Sequence, residues 1–137
     1  MDLAVGDRVV SEQIVPCWEC LYCKRGNYHM CGQHIMYGFK RATPGAMAEY
    51  MVYHANALVH KVSPDVAPQH AAFAEPLSCA LHAVERAQIT FEDTVVVAGC
   101  GPIGLGMVAG ARAKSPVRVV ALDMAPDKLE LAAACGA

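Results

Sequence analysis

The sequence predicts a mixed α/β chain in two parts, and three observations predict it. Four of the seven cysteines fall between Cys17 and Cys31, in a stretch with too little apolar surface to order itself. The hydrophobic pattern changes near residue 75, from short β-like runs to a helical period. An apolar run, Thr94-Val95-Val96-Val97-Ala98, then leads through a glycine-rich turn and a helical stretch to a second apolar run. Residues 1–75 are therefore expected to form a small β domain carrying a metal-binding loop over 17–31. Residues 76–137 are expected to form a connecting helix and the first β-α-β-α of a parallel sheet.

Composition narrows the functional classes. Of the 137 residues, 55% are hydrophobic and 18% charged, which supports a buried core and excludes a disordered chain. Eleven basic against thirteen acidic side chains give a net charge of −2, without the basic surface that nucleic-acid binding needs. No run of 18 apolar residues occurs, so no membrane span is expected. The opening Met1-Asp2-Leu3-Ala4-Val5-Gly6-Asp7 has neither a basic nor an apolar leader region. A cytoplasmic setting is expected, and there clustered cysteines read as metal ligands rather than a disulfide framework.

Each element follows from local signals. Asp7-Arg8-Val9-Val10 after Gly6 reads as a turn and a strand. Gly45 to Tyr53 reads as a strand behind the Pro44-Gly45 turn, and Leu58 to Val62 as another, closed by Ser63-Pro64-Asp65. Leu77, Ala80, Leu81 and Val84 form one apolar stripe of a helix with Pro76 at its first position. The run 94–98 has the continuous apolar character of a parallel strand buried on both faces. Helix 102–114, strand 117–122 and helix 126–135 follow.

The spacing Cys17-x2-Cys20-x2-Cys23-x7-Cys31 suits four thiolates around one cation. Zinc accepts four sulfurs tetrahedrally and leaves no open position, so the site is structural, a cross-link in a loop. His29 and His34 lie nearby but are surplus to a complete shell. The rivals are four unconnected buried thiols and an iron–sulfur cluster. The ferredoxin run closes with x3 and a proline, whereas here the last gap is x7 and Gly32 follows. Cys79, Cys100 and Cys135 read as small apolar core residues.

Gly99-Cys100-Gly101-Pro102-Ile103-Gly104 matches G-x-G-x-x-G in the right context: a strand before it, a helix after it, and Asp123 at the end of the next strand. Gly99 makes the turn, Gly101 lets a pyrophosphate approach, and Gly104 lets helix and strand pack closely. The helix start at Pro102 and Ile103 offers its dipole to phosphate. Asp123 would bind ribose hydroxyls and repel a 2′-phosphate, which favours NAD over NADP. Lys128 reads as a solvated helix residue. The bland alternative is a glycine-rich turn with no ligand.

In combination these motifs resemble the zinc-dependent medium-chain alcohol and polyol dehydrogenases, over essentially the whole chain. Gly6-Asp7-Arg8-Val9 is similar to that family's G-D-R-V strand, and Pro16 to Cys31 to its structural-zinc lobe. Gly45-Ala46-Met47-Ala48-Glu49-Tyr50 is similar to its G-x-x-A-E-Y strand, and Glu75-Pro76-Leu77-Ser78 to the E-P-L-S turn of its sorbitol-type members. The resemblance implies part of a GroES-like β domain with a zinc lobe, followed by the start of a Rossmann fold. It implies hydride transfer from a small alcohol or polyol (sorbitol, xylitol, or erythritol and threitol types) to NAD, with a second, catalytic zinc as Lewis acid.

The chain departs from the family at that second metal. The family's catalytic Cys and G-H-E ligands precede G-D-R-V, which here begins at residue 6, so only Glu75 matches a position near the catalytic zinc. The resemblance therefore implies a fragment cut at both ends, whose catalytic zinc site is lost and which is inactive alone. Glu75 also suits the start of the helix at Pro76 electrostatically. His82 matches a family histidine and reads as a packed or half-buried helix residue. The unpaired edge of a short sheet implies self-association or a homo-oligomer. The rival functions are a non-catalytic zinc-stabilised module that binds a nucleotide or a partner, and an iron–sulfur electron carrier.

Overall fold

A computed structural model describes residues 3–39 and 43–137 of the chain; Met1 and Asp2, which open the segment read for a leader, lie outside them. The fold divides into two compact units, Met1–Ala71 and Ala72–Ala137.

The first unit is built from short antiparallel pairs. Strand β1 (Val9–Ser11) pairs with β4 (Val59–Lys61), and β2 (Ile14–Val15) with β3 (Ile35–Met36). Between β2 and β3 lie a short helix, α1 (Leu21–Lys24), and a 3-10 turn at Tyr28–Met30. Helix α2 (Pro68–Ala71) ends the unit. Its buried residues include Val15, Cys23, Cys31, Tyr37 and Thr43, so two of the clustered cysteines belong to the packed interior. The Arg8 guanidinium donates to the Val66 carbonyl, and Lys61 Nζ meets Asp7 Oδ1 at 2.7 Å.

The segment read as a strand over 45–53 is not one. Only Thr43 makes a bridge, and residues 44–53 run as bends and irregular chain with Met47, Tyr50 and Val52 exposed. Alternating residue types allow a strand, but a strand also needs a neighbour for its N–H and C=O groups. None pairs with this segment among the described residues.

In the second unit, helix α3 (Ala74–Arg86) precedes β5 (Thr94–Ala98), α4 (Pro102–Ala113), β6 (Arg118–Leu122) and α5 (Pro126–Ala134). Strands β5 and β6 are parallel and in register from Thr94↔Arg118 to Ala98↔Leu122. The core is Val97, Val108, Ala111 and Val119, with Ile89, Val95, Met107, Ala121 and Cys135 packed around it. Helices α3 and α4 pack closely: a Cβ at Gly106 would lie 2.9 Å from Ala80 Cβ.

Five expectations change here. Helix α3 starts at Ala74, so Pro76 is its third residue, still within the first turn, where no intrahelical donor is needed. Strand β5 is covered on one face only: Val97 is buried, while Val96 is 58% exposed and Leu122 on the same face 53%. Cys79, read as a small core residue, and His82, read as packed or half-buried, are exposed on α3, because the helix buries Ala80 and Val84 instead. Leu81, on the predicted stripe, is 43% exposed.

Candidate metal centre and nucleotide turn

The metal centre lies between β2 and β3. The chain reaches Cys17 from β2 and turns at Trp18, whose φ is 61°. Cys20 stands just before α1 and Cys23 on its buried side, and Cys31 follows the 3-10 turn. The four sulfurs all lie within 4.8 Å of one another, and Cys17 Sγ is 3.9 Å from Cys23 Sγ. Sulfurs about 2.3 Å from a tetrahedral zinc would be roughly 3.8 Å apart, so the donor set fits one such ion. An iron–sulfur cluster spreads its four cysteines over two or more irons and would hold the sulfurs bonded to different irons farther apart. No other group of three or more His, Cys, Asp or Glu side chains is so placed among the described residues.

The thiols differ in proton affinity. Backbone N–H groups of Cys23 and Gly32 lower Cys20 to about 6, while burial raises Cys23 to about 11. Cys31 is lowered, chiefly by the backbone at Cys17. A metal arriving at neutral pH therefore meets thiolate at Cys20 and displaces a proton from Cys23. Outside the sulfurs, Trp18 packs on Tyr28 with ring centroids 5.9 Å apart. Glu12 accepts from the Tyr28 hydroxyl, raising the phenol behind its main cause, desolvation, and Glu12 also meets His60 Nε2 at 3.1 Å. Tyr28 and Glu12 thus tie the loop to the β1–β4 pair, a link that no motif signals.

The nucleotide turn joins β5 to α4. Gly99 takes φ +92°, which favours glycine, and its N–H donates to Leu122 O at 2.7 Å. Gly101 precedes α4 in extended conformation and Pro102 is the first helical residue. Ile103 and Gly104 occupy the next positions, before the first intrahelical bond, Leu105 N–H to Gly101 O at 2.8 Å. Their N–H groups are thus left for an anion at the helix start. A Cβ on Gly104 would overlap the Gly99 carbonyl oxygen.

Asp123 stands beside this turn. Its Oδ2 accepts the Cys100 N–H at 2.7 Å and its Oδ1 the Ala125 N–H at 2.9 Å. These bonds, Cys100 first, hold the carboxyl below the ordinary carboxylate range. With Gly99, Leu122 and Met124 it lines an open depression of about 380 Å³. The fingerprint did not point to Leu122, Met124 or the Cys100 N–H; only adjacence to the motif could have suggested them.

The depressed value sets a pH dependence. Stabilisation of the turn by ionised Asp123 is complete above the ordinary carboxylate range and is lost as pH falls through the lowered native value. Protection of the Cys100 amide against hydrogen exchange, corrected for intrinsic rates, is expected to fall below about pH 4. Asp123→Asn should lower that protection at neutral pH and remove its pH dependence; an unchanged profile would contradict this role.

Glu75 belongs neither to the cysteine tetrad nor to the residues that line the turn. It is exposed in the first turn of α3, 3.5 Å from the Cys79 thiol, and belongs to no such donor group. Burial, ahead of the Glu75 charge, pushes the Cys79 thiol up.

Comparison with known proteins places these features in a wider set. Residues 1–64 match the alcohol dehydrogenase GroES-like domain. The chain is 84% identical over 135 residues to an erythritol/L-threitol dehydrogenase of Mycolicibacterium smegmatis, covering 98% of this chain and 37% of that protein. Among solved structures, alcohol dehydrogenase TADH of Thermus sp. ATN1 superposes with a TM-score of 0.87 at 34% identity, over 100% of this chain and 42% of that one. A protein of Escherichia coli CFT073 described as a short chain alcohol dehydrogenase, solved with NADH, gives a TM-score of 0.85 at 33% identity, over 97% of this chain and 39% of that one. The chain thus spans well under half the length of the proteins it matches.

Proposed function

We propose that the chain is part of a zinc-dependent medium-chain alcohol and polyol dehydrogenase, and that it carries the structural-zinc lobe and the dinucleotide-binding turn of an NAD-dependent polyol oxidoreductase. The observation that carries this reading is the pairing, in one chain, of a one-ion cysteine tetrad with an acid-flanked glycine turn. Identity of 84% to an erythritol/L-threitol dehydrogenase supports a small polyol as substrate class.

In this reading Cys17, Cys20, Cys23 and Cys31 hold a structural zinc, which when bound supplies a cross-link and no open coordination position. Gly99, Gly101, Pro102, Ile103 and Gly104 shape the pyrophosphate site, and NAD, when bound, supplies the hydride acceptor. Asp123 takes the ribose hydroxyls. Its negative charge opposes a 2′-phosphate, which favours NAD. Glu75 alone cannot hold a catalytic zinc, which needs three protein ligands. We therefore expect no polyol oxidation by this chain by itself. A cytoplasmic setting, where thiols stay reduced, belongs to the same reading.

Calorimetry with NAD⁺ and NADP⁺, alongside an assay of erythritol and threitol oxidation with added zinc, tests it. NAD⁺ should bind at least tenfold more tightly than NADP⁺. Asp123→Ala should weaken NAD⁺ binding by about tenfold, one lost charge-assisted hydrogen bond. Turnover by the chain alone would refute the inactivity, and equal affinity for the two nucleotides would refute the role of Asp123.

A further inference from the structure

We propose that the cysteine loop is also an oxidative modification site, at which peroxide joins Cys17 to Cys23 and expels the metal. The proposal rests on the zinc reading of the tetrad. Cys17 and Cys20 are half-exposed, whereas Cys23 and Cys31 are 5% and 1% exposed. A small oxidant therefore reaches Cys17 from solvent and finds the Cys23 sulfur 3.9 Å behind it. The sulfurs of Cys79 and Cys100 face oxygen instead, the Glu75 carboxylate and the Leu122 carbonyl.

The chemistry balances with hydrogen peroxide as oxidant. The Cys17 thiolate attacks the O–O bond, takes one oxygen as sulfenic acid, and hydroxide leaves. The Cys23 thiolate then attacks the Cys17 sulfur. The S–S bond forms, the S–O bond breaks, and the second oxygen leaves as hydroxide. Two thiolates have given up two electrons, and one peroxide, with two protons from solvent, has become two waters. Cys20 and Cys31 remain, two sulfurs where a closed zinc shell needs four, so the ion departs.

The chain carries its own reporter. Trp18 is the only tryptophan, follows Cys17 directly, and packs on Tyr28. Loss of the cross-link should disturb that packing and change the tryptophan emission.

The test uses the whole chain, with its zinc content measured first. Hydrogen peroxide is then titrated in while zinc release is followed with a chromophoric chelator, emission is recorded, and cysteine pairing is mapped by peptide mass spectrometry. The expected result is equal amounts of zinc released and disulfide formed. The bridged peptides should be those of Cys17 and Cys23, with Cys20 and Cys31 still open to alkylation. Dithiothreitol plus zinc should restore the original emission. Retention of zinc while other thiols are oxidised, or a first bond between another pair, would overturn the proposal. A chain found without zinc at the outset would contradict the metal reading instead, and in that chain the pairing of Cys17 with Cys23 is still scored by the same mapping.

Discussion

Gly104→Ala is expected to abolish cooperative melting of the 72–137 unit. The added methyl would overlap the Gly99 carbonyl oxygen, a backbone atom that cannot rotate aside. Gly99 is pinned in turn by its N–H bond to Leu122 O at 2.7 Å, and the adjoining Cys100 N–H by Asp123. Relief therefore requires moving the start of α4 away from β5, which opens the packing of Val97 against Val108. Overpacking costs about 1–3 kcal/mol, and more where, as here, the obstructing atom is backbone, a large share of the stability of so small a unit. Circular dichroism melting would check it. A substitution at exposed Ile103 serves as control and should leave the transition nearly unchanged. Wild-type melting of Gly104→Ala would mean that the turn does not approach the helix as described.

Cys31→Ser should release the metal from the loop and unfold residues 17–34 locally. Cys31 is 1% exposed, and its loss leaves three sulfurs around the ion. In the zinc reading, free energy of metal binding contributes to the folding of the loop. Mild proteolysis should cut the variant at exposed Lys24 and Arg25 while the wild-type chain resists. Because burial holds the Cys23 thiol up, metal affinity should also rise with pH, as a proton leaves on binding. Equal resistance of variant and wild type to protease would show that the loop is held by something other than the ion.

The features most legible in the sequence were those with a strong local cause. The pattern around Thr94–Ala98 and Arg118–Leu122 gave both strands, and Pro102 and Pro126 marked the first residues of the helices that follow. Cysteine density pointed to the loop because thiols at that spacing have few other reasons to gather. Features that depend on neighbours were not legible. The alternation at 45–53 says which side chains share a face, but not whether a partner strand lies alongside. Helical phase alone did not tell that Cys79 and His82 point outward, since α3 buries only the narrow strip that meets α4. Ala74 and Glu75 are good helix formers and carry α3 back past Pro76. The fingerprint put Asp123 near a ribose; it gave no hint that both carboxylate oxygens accept backbone N–H groups at the turn.

The central claim is that one zinc, held by Cys17, Cys20, Cys23 and Cys31, organises the first unit, and that no catalytic metal accompanies it. Metal content per chain, zinc and iron together, on protein purified without added metal, tests it most directly. The account predicts one zinc and no iron, with the zinc lost in Cys31→Ser. Two zincs, iron in place of zinc, or a folded chain with neither would contradict it.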